Sequence, residues 1–202
     1  MNDLERFEKQ MAFIREIDKE KMIKRQSYVT DGKTHENDAE HAWHMAIMTL
    51  LLQEYSNEKI DVLKTVTMLL IHDLVEIYAG DTYAYDEEGK KTQAEREAKA
   101  AHRLYGILPE DQGQYLKSVW LEFEEQKTPE ARFARTMDCF QPLILNDATD
   151  GRAWKEHSVR RSQVMQRNAS THSGSEAIWE YAKENLIDLN VRKGNIIDDI
   201  ST

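Results

Sequence analysis

The chain has one cysteine, Cys139, and only three prolines and eight glycines in 202 residues. A lone cysteine excludes an internal disulfide, and with it a stapled extracellular scaffold, so a reducing cytosol is the expected compartment. Scarce proline and glycine exclude a loop-rich or fibrous chain and weigh against an all-β one. Positive charge is short too: 27 Lys and Arg stand against 37 Asp and Glu, a formal net charge of −10. That balance argues against a protein that coats a nucleic-acid polymer. It leaves a small anionic substrate open, because a bound metal reverses the local field. The strongest apolar run, Val66 to Ile71, is far below the ~20 residues that cross a bilayer. The start, Met1-Asn2-Asp3-Leu4-Glu5-Arg6, lacks the basic-then-apolar order of a signal peptide. A cytoplasmic protein with no membrane contact is the expectation.

What is present is helical periodicity. Phe7, Met11, Ile14, Ile17 and Met22 recur at three- and four-residue steps and predict an amphipathic first helix. The polar stretch from Ser27 to Asn37 reads as a loop. A second helix is expected from about Asp38 to Tyr55, capped by Asn37 or Asp38. A third runs from Glu58 to about Tyr78 behind Asn57; apolar on most sides, it should be central. Gly80-Asp81 ends it. Thr92 with Glu95 fits a capping box for a fourth helix, Pro109 opens a fifth, and Thr128-Pro129-Glu130 a sixth. Ser173 with Glu176 starts a last helix to about Leu189, and Lys193 to Thr202 reads as a frayed tail. Nothing marks a linker, so residues 1–202 are expected to form one compact all-α domain.

Three segments carry chemistry: Glu40-His41-Ala42-Trp43-His44, His72-Asp73-Leu74-Val75-Glu76 and Met137-Asp138. His72 and Asp73 fall in the most apolar helix, where an imidazole beside a carboxylate is costly to bury without a partner. Side chains of adjacent helical residues diverge by about 100°, yet both reach a metal lying between them. His41 and Asp138 complete two nitrogen and two oxygen ligands. That set suits one divalent transition ion (Mn²⁺, Co²⁺, Fe²⁺, Ni²⁺ or Zn²⁺), Mg²⁺ less well, and leaves positions for water. Pro142, four residues after Asp138, removes the hydrogen bond to the Asp138 carbonyl and should distort that helix.

The order His41, His72-Asp73, Asp138 resembles the HD superfamily of metal-dependent phosphohydrolases. Glu36-Asn37-Asp38-Ala39-Glu40-His41-Ala42-Trp43, His72-Asp73-Leu74-Val75-Glu76 with Gly80-Asp81, and Arg132 to Asp138 with Gln141-Pro142 are similar to the branch that holds the bacterial 5′-deoxynucleotidases. The motif-bearing part spans about residues 5–170, followed by the C-terminal helix and tail, 173–202. The resemblance implies an all-α HD-type domain that hydrolyses a phosphomonoester, a (deoxy)nucleoside 5′-monophosphate, through attack of a metal-activated water. It implies Glu76 as general acid/base, with Asp81 its partner or a water-orienting group. An arginine near the place of Lys24 and Arg25 contacts substrate in that branch. Lys24, Arg25 and Thr82 are the candidate substrate contacts, while Gln26-Ser27 and Thr82-Tyr83-Ala84-Tyr85-Asp86 depart from that branch at substrate-recognition positions. A homodimer is also implied. Phosphodiesterase or pyrophosphohydrolase action on a nucleotide, and a metal-stabilised binding module without turnover, are the alternatives.

The remaining candidates have plainer readings. His44, one turn after His41, is either a second ligand or a histidine packed beneath the site. Dinuclear members of the superfamily it resembles supply extra histidines between the positions of Asp73 and Asp138; here His102 is the only one, so the resemblance implies one metal and weighs against a di-iron oxidase. His35, His157 and His172 read as solvated, and Cys139 as a small core residue. Trp43, Trp120, Trp154 and Trp179 read as core or interface. Glu122, Glu124 and Glu125 read as a wet face, and Lys24-Arg25 equally as a solvated helix end. Arg152, Lys155, Arg160, Arg161 and Arg167 read as surface or a dimer contact.

Overall fold

In the computed structural model, which describes residues 1–200, the helices expected behind Asn37 and Thr128 begin at those caps. Helix α1 (Asp3–Ile17) opens on Asn2, whose side chain accepts from the Glu5 N–H while the Glu5 carboxylate accepts from the Asn2 N–H. Its inward face centres on Phe13 with Arg6, Gln10 and the predicted Ile17, the predicted Met11 is half-buried beside them, and the predicted Phe7 and Ile14 point outward. Phe13 is buried and stacks on Tyr105, Arg6 pairs with Asp111, and Gln10 donates to Gln112. Phe7, Ile14 and Met22 stay exposed. The polar partners at the start of a later helix decide the rotation, and α1's own periodicity cannot show them.

After a 3₁₀ turn (Asp18–Met22), the stretch expected to be a loop forms an antiparallel hairpin, β1 (Lys24–Tyr28) and β2 (His35–Asn37). Asp31 builds its turn by accepting from the Lys33 and Thr34 N–H groups, with Gly32 at φ +63°. These strands are almost wholly polar, so the hydrophobic alternation that announces a strand is missing. Asn37 then caps α2 (Asp38–Leu52) in a second capping box with Glu40.

The predicted third helix is broken in two. Asp61, not Asn57, caps α3 (Val62–Ile71), and α4 is only Glu76–Ala79. Between them the chain tightens into three-residue turns, Leu74 N–H to Ile71 O and Glu76 N–H to Asp73 O. His72 and Asp73 sit at that break. Gly80, at φ +76°, ends α4 as expected.

Asp86 starts α5 (Glu87–Tyr105) several residues before the expected Thr92. Helix α6 (Glu110–Glu125) follows Pro109, and α7 (Pro129–Ala148) opens on the Thr128 cap. The central helix is α7, with Phe133, Ala134, Met137, Phe140 and Leu143 buried, whereas α3 leaves Leu63 and Leu70 exposed. Helix α7 runs unbroken through Pro142, held by that burial on every side.

The C-terminal third contains more order than its sequence suggests: α8 (Arg152–Glu156), α9 (Arg161–Arg167), α10 (Thr171–Gly174) and α11 (Glu176–Tyr181). A π-helical stretch (Ala182–Asp188) and α12 (Leu189–Arg192) complete the last helix. Ser175, not Ser173, caps α11. The tail is docked rather than frayed as far as residue 200. Asn195 and Ile196 are buried, Ile197 bridges Val159 and Arg161, and Asp199 accepts from Ser162. Ser201 and Thr202 lie outside the described residues. One apolar core runs from Phe13 to Ile196. The described chain is predominantly helical with a single two-stranded sheet, and none of its described helices is long and apolar enough to cross a membrane.

Candidate metal centre

Three segments meet at one point: α2 brings His41, the α3–α4 break brings His72 and Asp73, and α7 brings Asp138. Ligand-capable atoms of His41, His72 and Asp73 lie within 4.8 Å of one another. Asp138 Oδ1 stands 3.3 Å from His41 Nε2 and 3.8 Å from His72 Nε2, and His72 Nε2 is 3.1 Å from Asp73 Oδ1.

The hydrogen bonds behind the rings decide what these atoms are. His72 Nδ1 donates to the Leu69 carbonyl, which can only accept. The Gln141 amide nitrogen faces Glu36 Oε1 and His44 Nδ1, so its oxygen is left to accept from His41 Nδ1. In each neutral ring, Nε2 therefore carries a lone pair. Two imidazole lone pairs and two carboxylate oxygens converge with no donor between them, and buried His72 Nε2 has no hydrogen-bond partner. Only a cation satisfies such a ring of acceptors. The donor set fits a divalent metal.

The carboxylates draw positive charge to this point. Burial opposes a charged His72, but Asp73 and Asp138 outweigh it and push its pKa up to about 10, so a proton on His72 Nε2 competes with a metal for the same place. Burial and Arg25 push His41 down to about 4. Despite burial, Arg167 and Arg135 hold Asp138 well below the usual carboxylate range. Arg25 reaches across from β1 to Asp73 Oδ2 at 2.8 Å and Asp38 Oδ1 at 3.1 Å, steering Asp73 Oδ1 toward the rings.

A cavity of about 550 Å³ opens beside the cluster. Glu76 lines it despite the broken helix, and its buried Oε2 has no partner. Burial, then Asp73, Asp38 and Asp81, push Glu76 up to about 11. Asp81 also lines the cavity and is raised by burial. Arg96 of α5 secures the loop that carries it, donating to the Ala79 carbonyl and, at 2.7 Å, to Thr82 Oγ1.

Of the predicted substrate contacts, Arg25 and Thr82 line the cavity and Lys24 does not. Successive strand residues point to opposite faces, so the strand that turns Arg25 inward turns Lys24 out to solvent. Lys24-Arg25 is thus no helix end. His44 is one bond removed from the cluster, against Gln141. His102 is exposed on α5, and Cys139 is buried with its thiol on the Arg167 carbonyl. His157 does more than face water. Its ring lies 4.8 Å from that of Tyr83 and its Nε2 is 3.1 Å from Gln26 Oε1, across the cavity rim.

The sequence placed Gln141 and Arg135 within a motif without a role, put Tyr83 and Tyr85 at substrate-recognition positions without a contact, and misread Arg167 as surface. Arg135 and Arg167 both reach Asp138 Oδ2 and line the cavity, so Arg167 is not part of a basic outer surface. The Arg135 spacing, three residues before Asp138 on one helix, was a readable signal. Arg167 had none, since it depends on how α9 returns to α7.

The family model described as HD domain matches residues 17–179. Among curated proteins, 5′-deoxynucleotidase HDDC2 of Homo sapiens is 27% identical over 135 residues, 66% of this chain and 65% of its own length. The Dictyostelium discoideum protein of the same name is 28% identical over 140 residues, 66% of this chain and 74% of its own. The chain thus spans just under two thirds of the human relative. A crystal structure described as a predicted metal-dependent phosphohydrolase from Magnetospirillum magnetotacticum MS-1 superposes with a TM-score of 0.90 at 45% identity, covering 95% of this chain and 96% of that one. Matched by the family model across most of its length and by a solved relative along nearly all of it, with the paired histidines and aspartates in one cluster, this chain belongs to the HD domain family.

Proposed function

We propose that this protein is a metal-dependent phosphohydrolase that cleaves a phosphomonoester, its substrate a (deoxy)nucleoside 5′-monophosphate. The observation that carries the reading is the ring of unopposed acceptors beside a cavity lined by Glu76 and Asp81. The relatives named 5′-deoxynucleotidase support the substrate class, and the cavity is in the usual range for a small-molecule site. A single domain is supported by the one continuous core, which runs from Phe13 to Ile196 among the described residues.

His41, His72, Asp73 and Asp138 are the proposed ligands. Two nitrogens and two oxygens favour Mn²⁺, Co²⁺, Fe²⁺, Ni²⁺ or Zn²⁺ over Mg²⁺. When bound, such an ion lowers the pKa of a coordinated water and polarises a phosphoryl oxygen. The protein supplies the rest. Arg25 and Gln141 fix the rotamers of Asp73 and His41. Hydrolysis forms one P–O bond from water and breaks the ester P–O bond. Glu76 Oε2 gives its proton to the leaving alkoxide, Asp81 orients the water, and the proton the water sheds restores Glu76. Tyr83 and Tyr85 line the cavity.

Phosphate release from a panel of nucleoside mono-, di- and triphosphates and cyclic nucleotides tests this, on metal-stripped protein with each divalent ion added back. Release is expected from monophosphates only with metal, and Asp73→Ala should lose both metal and turnover. Release from a cyclic or diphosphate substrate alone points to the diesterase or pyrophosphohydrolase class instead. Stoichiometric metal with no turnover points to a binding module.

The lone, buried Cys139 thiol supports a cytoplasmic setting. A homodimer is supported by α2, where Trp43, Ile47, Leu50 and Leu51 form a stripe 39–68% exposed. Sedimentation at micromolar concentration should give a dimer, and a monomer ends that reading.

A further inference from the structure

Asp138 uses its two oxygens differently. Oδ1 faces the histidines, while Oδ2 accepts from two guanidiniums at once, Arg135 Nη1 at 2.6 Å and Arg167 Nη2 at 3.0 Å. One carboxylate shared between a cation-seeking ring and two arginines cannot neutralise both. Both arginines line the cavity and keep 23% and 24% of their side chains exposed. The buried Arg135 Nε has no partner.

Arg167 differs from the other cavity cations. Arg25 is tied to Asp73 and Asp38 at once. Arg135 feels Glu124 as well as Asp138. Arg167 makes one side-chain hydrogen bond among the described residues, to Asp138, and its remaining N–H donors are left to the cavity. Its charge acts on Asp81 and Tyr85 and opposes that of Arg25. It lines the same cavity as His72, Asp73, Asp138 and Asp81, the space that a phosphoryl group under attack would occupy.

We propose that Arg167, backed by Arg135, binds the terminal phosphate of the substrate through its outward N–H groups, and that this contact selects monoesters over diesters. The inference rests on the phosphomonoesterase reading and names the residue behind its selectivity. A monoester near neutral pH presents two charges on three non-bridging oxygens, whereas a diester presents one charge on two. A guanidinium fork rewards the first more than the second.

The test is calorimetric titration of inorganic phosphate into the Mn²⁺-loaded full chain, for wild type, Arg167→Lys and Arg167→Ala, with metal content measured on each. Wild type should bind phosphate, Arg167→Ala about tenfold or more weakly, and Arg167→Lys in between, all three with unchanged metal. In turnover, Arg167→Ala should raise KM for p-nitrophenyl phosphate by a similar factor and should weaken inhibition by the diester bis(p-nitrophenyl) phosphate by less. Equal phosphate affinity in the three proteins overturns the proposal. So does loss of metal from both variants, which would make Arg167 only a prop for Asp138. Phosphate binding that depends on Arg167, without release from any monophosphate by wild type, would sink the hydrolytic reading and leave this contact standing.

Discussion

The two walls of the cavity are built on different plans. The wall made by α2, the α3–α4 break and α7 holds its functional atoms on regular or tightly turned backbone, and each histidine is braced from behind by a buried acceptor. The facing wall, made by residues 81–86 with α8 and α9, holds its groups through contacts between short segments. Tyr83 lies edge-on to Tyr85 and against His157, and His157 reaches Gln26. The first wall tolerates little displacement, because a metal site or proton donor moved by an ångström loses much of its effect. The second can be repacked residue by residue, which suits it to recognition. The lesson is a division of labour between chemistry and selectivity across one cavity.

The comparison can be broken first at Glu76. Glu76→Gln keeps the shape and removes the transferable proton, so kcat should fall by about 10²- to 10⁴-fold with metal content unchanged. A fall confined to KM would move Glu76 from proton transfer to binding. Next is the brace. Gln141→Leu frees His41 Nδ1 from its acceptor and leaves Glu36 without its 2.6 Å donor. Metal affinity should drop by about 10- to 100-fold in a competition titration; unchanged affinity would show that α2 alone orients His41. The smallest effect belongs to the other wall. Tyr83→Ala should lower kcat/KM for a nucleoside monophosphate by less than about tenfold, the scale of one aromatic contact, while sparing a sugar phosphate. An equal loss for both substrates would mean that Tyr83 shapes the whole cavity rather than reading an aromatic ring.

The motif wall was legible and the recognition wall was not. His41, His72, Asp73 and Asp138 stand out because ionisable residues in apolar helical sequence are costly without partners, and that cost shows in one dimension. The roles of Glu76 and Asp81 came with the family resemblance that the same motif carries. Arg25 was half legible: it lines the cavity with Thr82, but its neighbour Lys24 could be set aside only once the strand was known. His44 resolved into the residue beneath the site through Gln141, a partner 97 positions away. Arg167 read as surface because nothing in its own neighbourhood reveals that α9 folds back onto α7.

By itself the sequence determined the helical class, the starts of α2, α6 and α7, and the four proposed metal ligands. Caps, periodicity and buried charge act over a few residues, and a few residues are enough to write them. Tertiary structure alone decided the rest. It broke the third helix at His72-Asp73, made α7 rather than α3 the central helix, and docked the tail through Ile196. It also turned Arg167 to Asp138 and Tyr83 to His157. Each of those outcomes depends on which distant surface a segment meets, and on the burial and hydrogen bonds that meeting supplies.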